Sequence, residues 1–173
     1  AMPAVASNTP WTLLFYGTLR SAAASSIATY AELPGDTSYD RSLFITSAGT
    51  VAGYVFDGAV KTAFAGSPTA GVPFTAAIVC TTNSMTAYFN GTPGSAVATS
   101  NAGYSAYSTP ELVIGYGGGS GGGNGGSAGL TSLIDMAYLL RLDRAVSAEQ
   151  VRALALAPWS IFEPRQNLIF SSS

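Results

Sequence analysis

The stretch VPFTAAIVCTTNSMTAYFNG, residues 72–91, decides the fold, because its apolar side chains recur at every second position. One side of its first half collects Val72, Phe74, Ala76, Ile78 and Cys80. Its second half groups Met85, Ala87 and Phe89, with Tyr88 on the opposite side. Asn83-Ser84 separates the halves and Asn90-Gly91 ends them, and Asn-Gly is a strong turn signal because both residues tolerate positive φ. The stretch therefore predicts two antiparallel strands.

The residues before this stretch predict further short strands with turn signals between them. Residues 11–19 are apolar and aromatic with a glycine interruption, which is typical of a strand that can be buried on both faces. Residues 21–40 mix Ala, Ser, Pro and Asp, so we expect irregular structure there, with a turn at Pro34-Gly35. Asp57-Gly58 predicts a two-residue hairpin turn. The strand candidates are 11–19 (WTLLFYGTL), 42–47 (SLFITS), 50–58 (TVAGYVFDG) and 60–66 (VKTAFAG).

The residues after it predict strands on either side of a glycine-rich loop. Residues 111–117 (ELVIGYG) are a strand candidate, and residues 115–129 contain ten glycines and predict the loop. Residues 132–144 (SLIDMAYLLRLDR) are the longest candidate and resemble a central strand covered on both faces. Residues 166–170 (QNLIF) could add a last strand. One side of the longest candidate carries Ile134, Met136, Tyr138, Leu140 and Leu142.

One helix is predicted near the C-terminus. Ser147 is a good N-cap, and Gln150 three residues later completes a capping box. Val151, Leu154 and Ala155 form the apolar stripe of this helix, and Pro158 ends it. We expect Trp11 and Trp159 to be packing residues. If the Trp159 ring is buried, Trp159→Ala should cost about 3–5 kcal/mol of stability.

Many short strands and one small helix predict an all-β chain of two packed antiparallel sheets. The length of 173 residues suits a single domain over residues 1–173. Ala1-Met2 resembles an artificial leader, so we expect the chain to be the end of a longer protein.

Composition excludes several classes of function. Only 9% of the residues are charged and the net charge is −2, which argues against binding to nucleic acid or to an anionic membrane surface. Histidine is absent, so no Ser-His, Cys-His or His-metal arrangement exists. The single Cys80 can form neither an intrachain disulfide nor a thiolate zinc site. No apolar run reaches the roughly 18 residues that a membrane-spanning helix needs.

The acidic residues do not suggest catalysis. Retaining glycoside hydrolysis uses two carboxyl groups about 5–5.5 Å apart, which alternate positions of one strand would supply. None of the nine acidic residues has another two positions away. We therefore expect no enzymatic activity, with a polysaccharide hydrolase as an unfavoured alternative.

Calcium is the one metal that the sequence could accommodate. Asp36 and Asp40, with carbonyl groups around Gly35, could supply hard oxygen ligands. The alternative is that both are turn residues whose carboxylates accept hydrogen bonds from the local backbone. No other cofactor is expected.

Residues 72–162 carry an ordered set of segments that resembles a known family. The hairpin ending YFNG (88–91) is followed by LVIGY (112–116), a glycine-rich loop, LIDMAYLL (133–140) and DRAVSAEQVRAL (143–154). This order resembles laminin-G-like, concanavalin A-like jelly-roll domains, and it implies a jelly-roll β-sandwich with one short helix. The ending APWSIFEP (157–164) is similar to that of such domains at the C-terminus of bacteriophage and prophage structural proteins.

The resemblance implies an adhesion module on a virion surface, which contacts host glycans and other virion subunits outside the cell. Aromatic rings pack on sugar C–H faces, and polar groups bind the hydroxyls. The alternative is an architectural module, capping or oligomer-stabilising, without a glycan ligand. Each tyrosine could also merely cover an edge of the sandwich. The candidate ligand-binding residues are Tyr39, Tyr104, Tyr107, Tyr116 and Asn124.

Overall fold

The computed structural model describes residues 9–21, 25–31, 41–57, 59–100, 111–117, 130–131 and 133–163. Helix α1 (Ala148–Leu156) is followed by a 3-10 turn at Ser160–Phe162. No helix within these ranges combines the length and apolar character needed to cross a membrane. The strands are β1 (Trp11–Leu19), β2 (Ser25–Ala31), β3 (Arg41–Ile45), β4 (Val51–Phe56), β5 (Val60–Phe64), β6 (Pro73–Cys80), β7 (Ser84–Phe89), β8 (Thr92–Pro93), β9 (Val97–Ala98), β10 (Glu111–Ile114), β11 (Tyr116–Gly117), β12 (Leu130–Thr131) and β13 (Ile134–Leu142).

The strands of the described segments form two antiparallel sheets that pack face to face. The six-stranded sheet has the order β13-β1-β6-β7-β8, with β9 also paired to β7. The five-stranded sheet has the order β10-β2-β3-β4-β5, and β11 and β12 form a small separate ladder. The predicted fold class is confirmed: the chain is a two-sheet antiparallel β-sandwich, a jelly roll, with one short helix.

The core lies between the sheets and follows the alternation that the sequence predicts. The core-facing residues of β6 are Phe74, Ala76, Ile78 and Cys80. Val72, predicted on the same side, precedes the strand and is exposed. β7 directs Met85 and Ala87 into the core and buries Tyr88 against its other face. The Asn90-Gly91 turn is confirmed, with φ of 47° and 77°, and the Asn90 side-chain oxygen accepts a hydrogen bond from the Thr75 N–H at 2.9 Å.

Strand β1 is buried on both faces, as predicted. Leu13 and Phe15 face the core, whereas Leu14 packs in a second cluster on the outer face of the six-stranded sheet. Helix α1 covers part of that outer face through Val151. The predicted capping box is confirmed, since the Ser147 side chain accepts from the Gln150 N–H at 3.2 Å and the Gln150 side chain accepts from the Ser147 N–H at 2.9 Å.

The prediction of irregular structure over residues 21–40 is wrong for β2. SSIATYA has small residues at most positions, and its local signal for a strand is weak. The segment is extended because it lies between β3 and β10 and pairs with both. Ile27 supplies a fully buried anchor. Pairing with these two strands therefore determines the extended conformation of β2, because its local strand propensity is weak.

The strand candidate 111–117 is confirmed as two short strands, β10 and β11, so the glycine-rich loop does not begin at residue 115 as expected: Tyr116–Gly117 pairs with β12. Two expectations for the longest strand candidate are corrected. β13, expected to be central, pairs among the described residues only with β1. Its apolar positions do not share one side: Ile134 and Met136 pack with the core cluster, whereas Tyr138 packs on the outer face. The candidate strand at 166–170 and the turn at 34–35 lie outside the described residues.

Candidate functional site

The ligand-binding residues that the sequence predicts remain predictions. Tyr116 lies in β11, where it pairs with Thr131 of β12. The others, like the candidate calcium ligands, lie outside the described residues; they are Tyr39, Tyr104, Tyr107 and Asn124, and Asp36 and Asp40. The described residues form a different candidate site, on the outer face of the six-stranded sheet.

Four aromatic rings meet on the outer face of the six-stranded sheet, and we call this group the aromatic surface. Trp159 lies edge-on to Tyr16 with ring centroids 5.6 Å apart, and edge-on to Tyr138 at 6.0 Å. Phe162 contacts Tyr138 at 5.7 Å and Trp159 at 6.0 Å. Tyr16 and Tyr138 are themselves 5.7 Å apart. These spacings fall in the range of favourable edge-to-face and tilted ring contacts.

A β-bulge places two of these rings side by side. Tyr16 pairs with Tyr138, but the next residue, Gly17, pairs with Met136, so Ala137 has no partner on β1. The extra residue reverses the facing of the strand at that point. Met136 therefore packs towards the core, and Tyr138 turns outward to stand beside Tyr16.

The other two rings come from the segment after the helix. Pro158 follows the end of α1, because proline cannot continue the helical hydrogen bonding. The chain then forms the 3-10 turn at Ser160–Phe162, whose backbone is tied by a Phe162 N–H to Trp159 carbonyl hydrogen bond of 3.0 Å. This turn directs Trp159 and Phe162 towards the two tyrosines.

Trp159 is a surface residue, which corrects the expectation of a buried packing role. Its ring folds back onto the sheet as expected, but the residue is 54% exposed, and Phe162 is 62% exposed. Trp11, by contrast, is 3% exposed, as predicted for a packing residue. The aromatic surface therefore has a base formed by the buried Tyr138 and the half-buried Tyr16, and an exposed upper layer of tryptophan and phenylalanine.

The Tyr138 hydroxyl is the unusual polar atom of this surface. Tyr138 is 8% exposed, and its hydroxyl has no hydrogen-bond partner within the described part of the chain. Burial and, secondarily, the neighbouring Tyr16 raise the pKa of this phenol, so it stays protonated at neutral pH. A buried hydroxyl without a partner costs free energy of folding.

A cavity of about 230 Å³ adjoins the aromatic surface and shares Tyr16 with it. An ion pair stands beside it, in which the Arg20 Nε donates to the Asp135 carboxylate at 2.8 Å. The hydrogen bond from Arg20 lowers the pKa of Asp135, and both side chains are more than half exposed. The cavity is lined by Tyr16, Gly17, Thr18, Pro73, Asp135, Met136 and Ala137.

This arrangement offers contacts that can bind a ligand. Aromatic faces, a threonine hydroxyl and a paired carboxylate lie within one area of the surface. Among the described residues, no three Cys, Asp or Glu side chains gather as a metal site would require. The volume of the cavity is below the roughly 300–1,000 Å³ of pockets that enclose drug-sized ligands, so it suits one ring or substituent of a larger ligand.

Sequence reasoning did not single out the residues of this surface. Trp159 was assigned to packing, and Tyr16, Tyr138 and Phe162 were assigned no role in binding. One signal was available, because the segment WSIF (159–162) places three large apolar residues within four positions after a helix stop. One face of so short a turn cannot bury all three, so exposure of some of them follows.

Comparison with known proteins identifies the fold of the chain but no family. No family model and no curated protein sequence matches the chain. Among solved structures it is similar to a heptameric SAP-like pentraxin from Limulus polyphemus (TM-score 0.65, 18% identity, 89% of this chain and 71% of that one). It is also similar to the CBM40 module of a Ruminococcus gnavus IT-sialidase bound to α2,3 sialyllactose (TM-score 0.64, 16% identity, 85% of this chain and 83% of that one). The Trypanosoma rangeli sialidase matches over 89% of this chain but only 24% of its own length (TM-score 0.60, 18% identity). At these identities, the chain shares the fold of these structures.

Proposed function

We propose that the chain is a non-enzymatic carbohydrate-binding module that holds a glycan on the aromatic surface. The observation that carries the proposal is the exposure of Trp159 and Phe162 above the half-buried Tyr16 and the buried Tyr138. Large exposed rings are costly on a soluble surface unless they serve a contact.

The chemistry of the surface matches that of a sugar ring. The C–H face of a pyranose packs on an aromatic ring, and its hydroxyls need nearby donors and acceptors. The Thr18 hydroxyl can donate and accept, and the Asp135 carboxylate accepts. The aromatic surface and its adjoining cavity provide both kinds of contact.

The comparisons support this class of ligand. The R. gnavus module is described with bound α2,3 sialyllactose, and it matches this chain over 83% of its own length. The sialidase chain extends well beyond the matched region, because this chain covers only 24% of its length. A binding module is therefore a better analogue than an enzyme, and we expect no release of reducing sugar from polysaccharides.

We further propose a setting outside the cell, on the surface of a phage or prophage virion. The support is the resemblance of residues 157–164 to the ends of phage structural domains. The partners in that setting are host surface polysaccharide and neighbouring virion subunits, with neither nucleic acid nor membrane insertion. Calcium at Asp36 and Asp40 is a separate proposal, which predicts that EDTA lowers thermal stability and that Asp36→Asn removes this effect.

A glycan microarray with matched variants tests the main proposal. We expect the wild-type chain to bind a discrete set of glycans and Trp159→Ala to lose that binding. Phe64→Ala is the control, because Phe64 is 53% exposed but lies on β5 of the opposite sheet. Binding that survives Trp159→Ala, or that is lost equally in Phe64→Ala, would refute the assignment of the site.

One observation favours a second function, an architectural role without a glycan. Phe56, Val60 and Phe64 are 42–53% exposed, and the paired strands β4 and β5 place them on the outer face of the five-stranded sheet. Such a strip is also typical of a subunit contact. Light scattering distinguishes the two: a stable oligomer that dissociates on Phe64→Asp, with no glycan bound, supports the architectural role.

A further inference from the structure

A second concave region lies on the other flank of helix α1. It is a groove of about 520 Å³ between the helix and the turn that joins β7 to β8, and we call it the α1 groove. The turn approaches the helix closely, since a Cβ on Gly91 would stand 2.9 Å from the Arg152 Cα. The volume lies within the range of small-molecule sites. It is lined by Asn90, Gly91, Thr92, Pro93, Ala148, Glu149, Arg152 and Leu156.

The two charges of the α1 groove are not paired with each other. Glu149 and Arg152 are three positions apart on the helix, a spacing that allows an ion pair. The nearby Ser147 hydroxyl and, secondarily, the backbone N–H of Glu149 itself lower the pKa of the Glu149 carboxyl. Arg152 makes neither an ion pair nor a hydrogen bond with another described residue.

The side-chain amide of Asn90 supplies a hydrogen-bond donor on the wall of the groove that faces α1. Its side-chain oxygen is held by the Thr75 N–H, which leaves the amide NH₂ group pointing away from that bond. Next to these polar groups, Leu156 presents an apolar side chain that is 76% exposed. The groove thus combines an acceptor, two sets of donors and an apolar face.

We propose that the α1 groove is a second saccharide-binding site, which takes a neutral, hydroxyl-rich ring. Glu149 accepts from ring hydroxyls, Arg152 and Asn90 donate to them, and Leu156 packs on the C–H face. This class of ligand rests on the proposed function, but the site is distinct from the aromatic surface: they lie over β7–β8 and β1–β13, at opposite ends of the six-stranded sheet.

The charge balance favours a neutral ring over an ionic ligand. An anion attracted by Arg152 would also meet the ionised Glu149, and a cation attracted by Glu149 would meet Arg152. A bound metal ion would find a single carboxylate in the groove and would be repelled by Arg152. Neutral sugar hydroxyls accept hydrogen bonds from Arg152 and donate hydrogen bonds to Glu149, and they carry no charge that either side chain would repel.

Heteronuclear NMR on the complete 173-residue chain tests the proposal. The probes are the neutral disaccharides lactose, maltose and cellobiose, with α2,3-sialyllactose as the acidic counterpart of lactose. We expect at least one neutral probe to shift the Gly91 and Thr92 amide signals. Arg152→Gln should weaken that binding by about tenfold, the loss expected for a hydrogen bond to a charged group. Arg144→Gln is the control, because Arg144 is exposed but does not line the groove.

The outcomes separate this proposal from the proposed function. Shifts at Gly91 that persist in Trp159→Ala and vanish in Arg152→Gln support the second site. Shifts around Trp159 alone overturn the second site and leave the proposed function standing. A preference for α2,3-sialyllactose over lactose that depends on Arg152 overturns the neutral class, and no shift at either surface overturns both proposals.

Discussion

The two tryptophans give a direct test of the aromatic surface, because their surroundings differ. Trp11 is buried in the core, whereas Trp159 is just over half exposed on the outer face of the six-stranded sheet. Replacing each with alanine should therefore change the free energy of unfolding by different amounts. Trp159→Ala should also remove glycan binding, which Trp11→Phe should preserve.

The expected magnitudes follow from the buried fractions. Truncating a fully buried tryptophan costs about 3–5 kcal/mol, which is the value for Trp11→Ala. Slightly less than half of Trp159 is buried, so Trp159→Ala should cost about 1.5–2.5 kcal/mol. For a chain of this length, each kcal/mol lowers Tm by about 2–4 °C, which gives about 3–10 °C for Trp159→Ala.

Urea unfolding and acrylamide quenching measure these differences. The stabilities of Trp11→Ala and Trp159→Ala come from unfolding followed by far-UV circular dichroism. Quenching uses Trp11→Phe, which leaves Trp159 as the only tryptophan, and Trp159→Phe, which leaves Trp11. We expect acrylamide to quench Trp159 more strongly than Trp11. Equal losses of stability, or a Trp159 that is shielded from acrylamide in the free protein, would refute the reasoning.

Three further predictions concern packing, charge and capping. Gly53→Ala should destabilise by about 1–3 kcal/mol through overpacking, because the new Cβ would lie 2.4 Å from the Ile78 Cδ1. In a double-mutant cycle with Ile78→Ala this penalty should shrink, and strict additivity would contradict it. Arg20→Gln should return the pKa of Asp135 towards its ordinary value in an NMR titration, and an unchanged pKa would count against the ion pair. Because the pKa of Asp135 is lowered in the folded state, this pair stabilises above the ordinary carboxyl pKa and its contribution is lost as pH falls through the lowered value. Ser147→Ala should cost about 0.5–2 kcal/mol by urea unfolding, and Ser147→Asp, which keeps a capping oxygen, should retain most of the stability.

The sequence predicts those parts of the fold whose signals are local. The alternation in residues 72–91 and the Asn90-Gly91 turn depend on neighbouring residues only, and both are confirmed. The capping box at Ser147 is equally local. β2 was missed because its seven residues have a weak pattern, and its extended form depends on two partner strands that are distant in sequence.

The candidate site is harder to predict from the sequence, because a single β-bulge determines which face of the sheet carries Tyr138. Strict alternation along β13 would place Tyr138 on the same face as Met136. The bulge at Ala137 breaks that alternation and turns Tyr138 to the outer face beside Tyr16. A bulge arises from the pairing of two strands, so the sequence of β13 alone does not indicate which face Tyr138 occupies.

The parts of the aromatic surface differ in how firmly the fold holds them, and this bears on how it would bind. Tyr16 and Tyr138 belong to strands whose other side chains are anchored in the core, so their rings form a fixed base. Trp159 and Phe162 come from a short turn after α1 and are held mainly by contacts with those rings. A preformed base limits the conformational entropy lost on binding, and an adjustable upper layer can close on ligands of different shape. Replacing Tyr138 with phenylalanine would then keep the base, whereas replacing it with alanine would release Trp159 and Phe162.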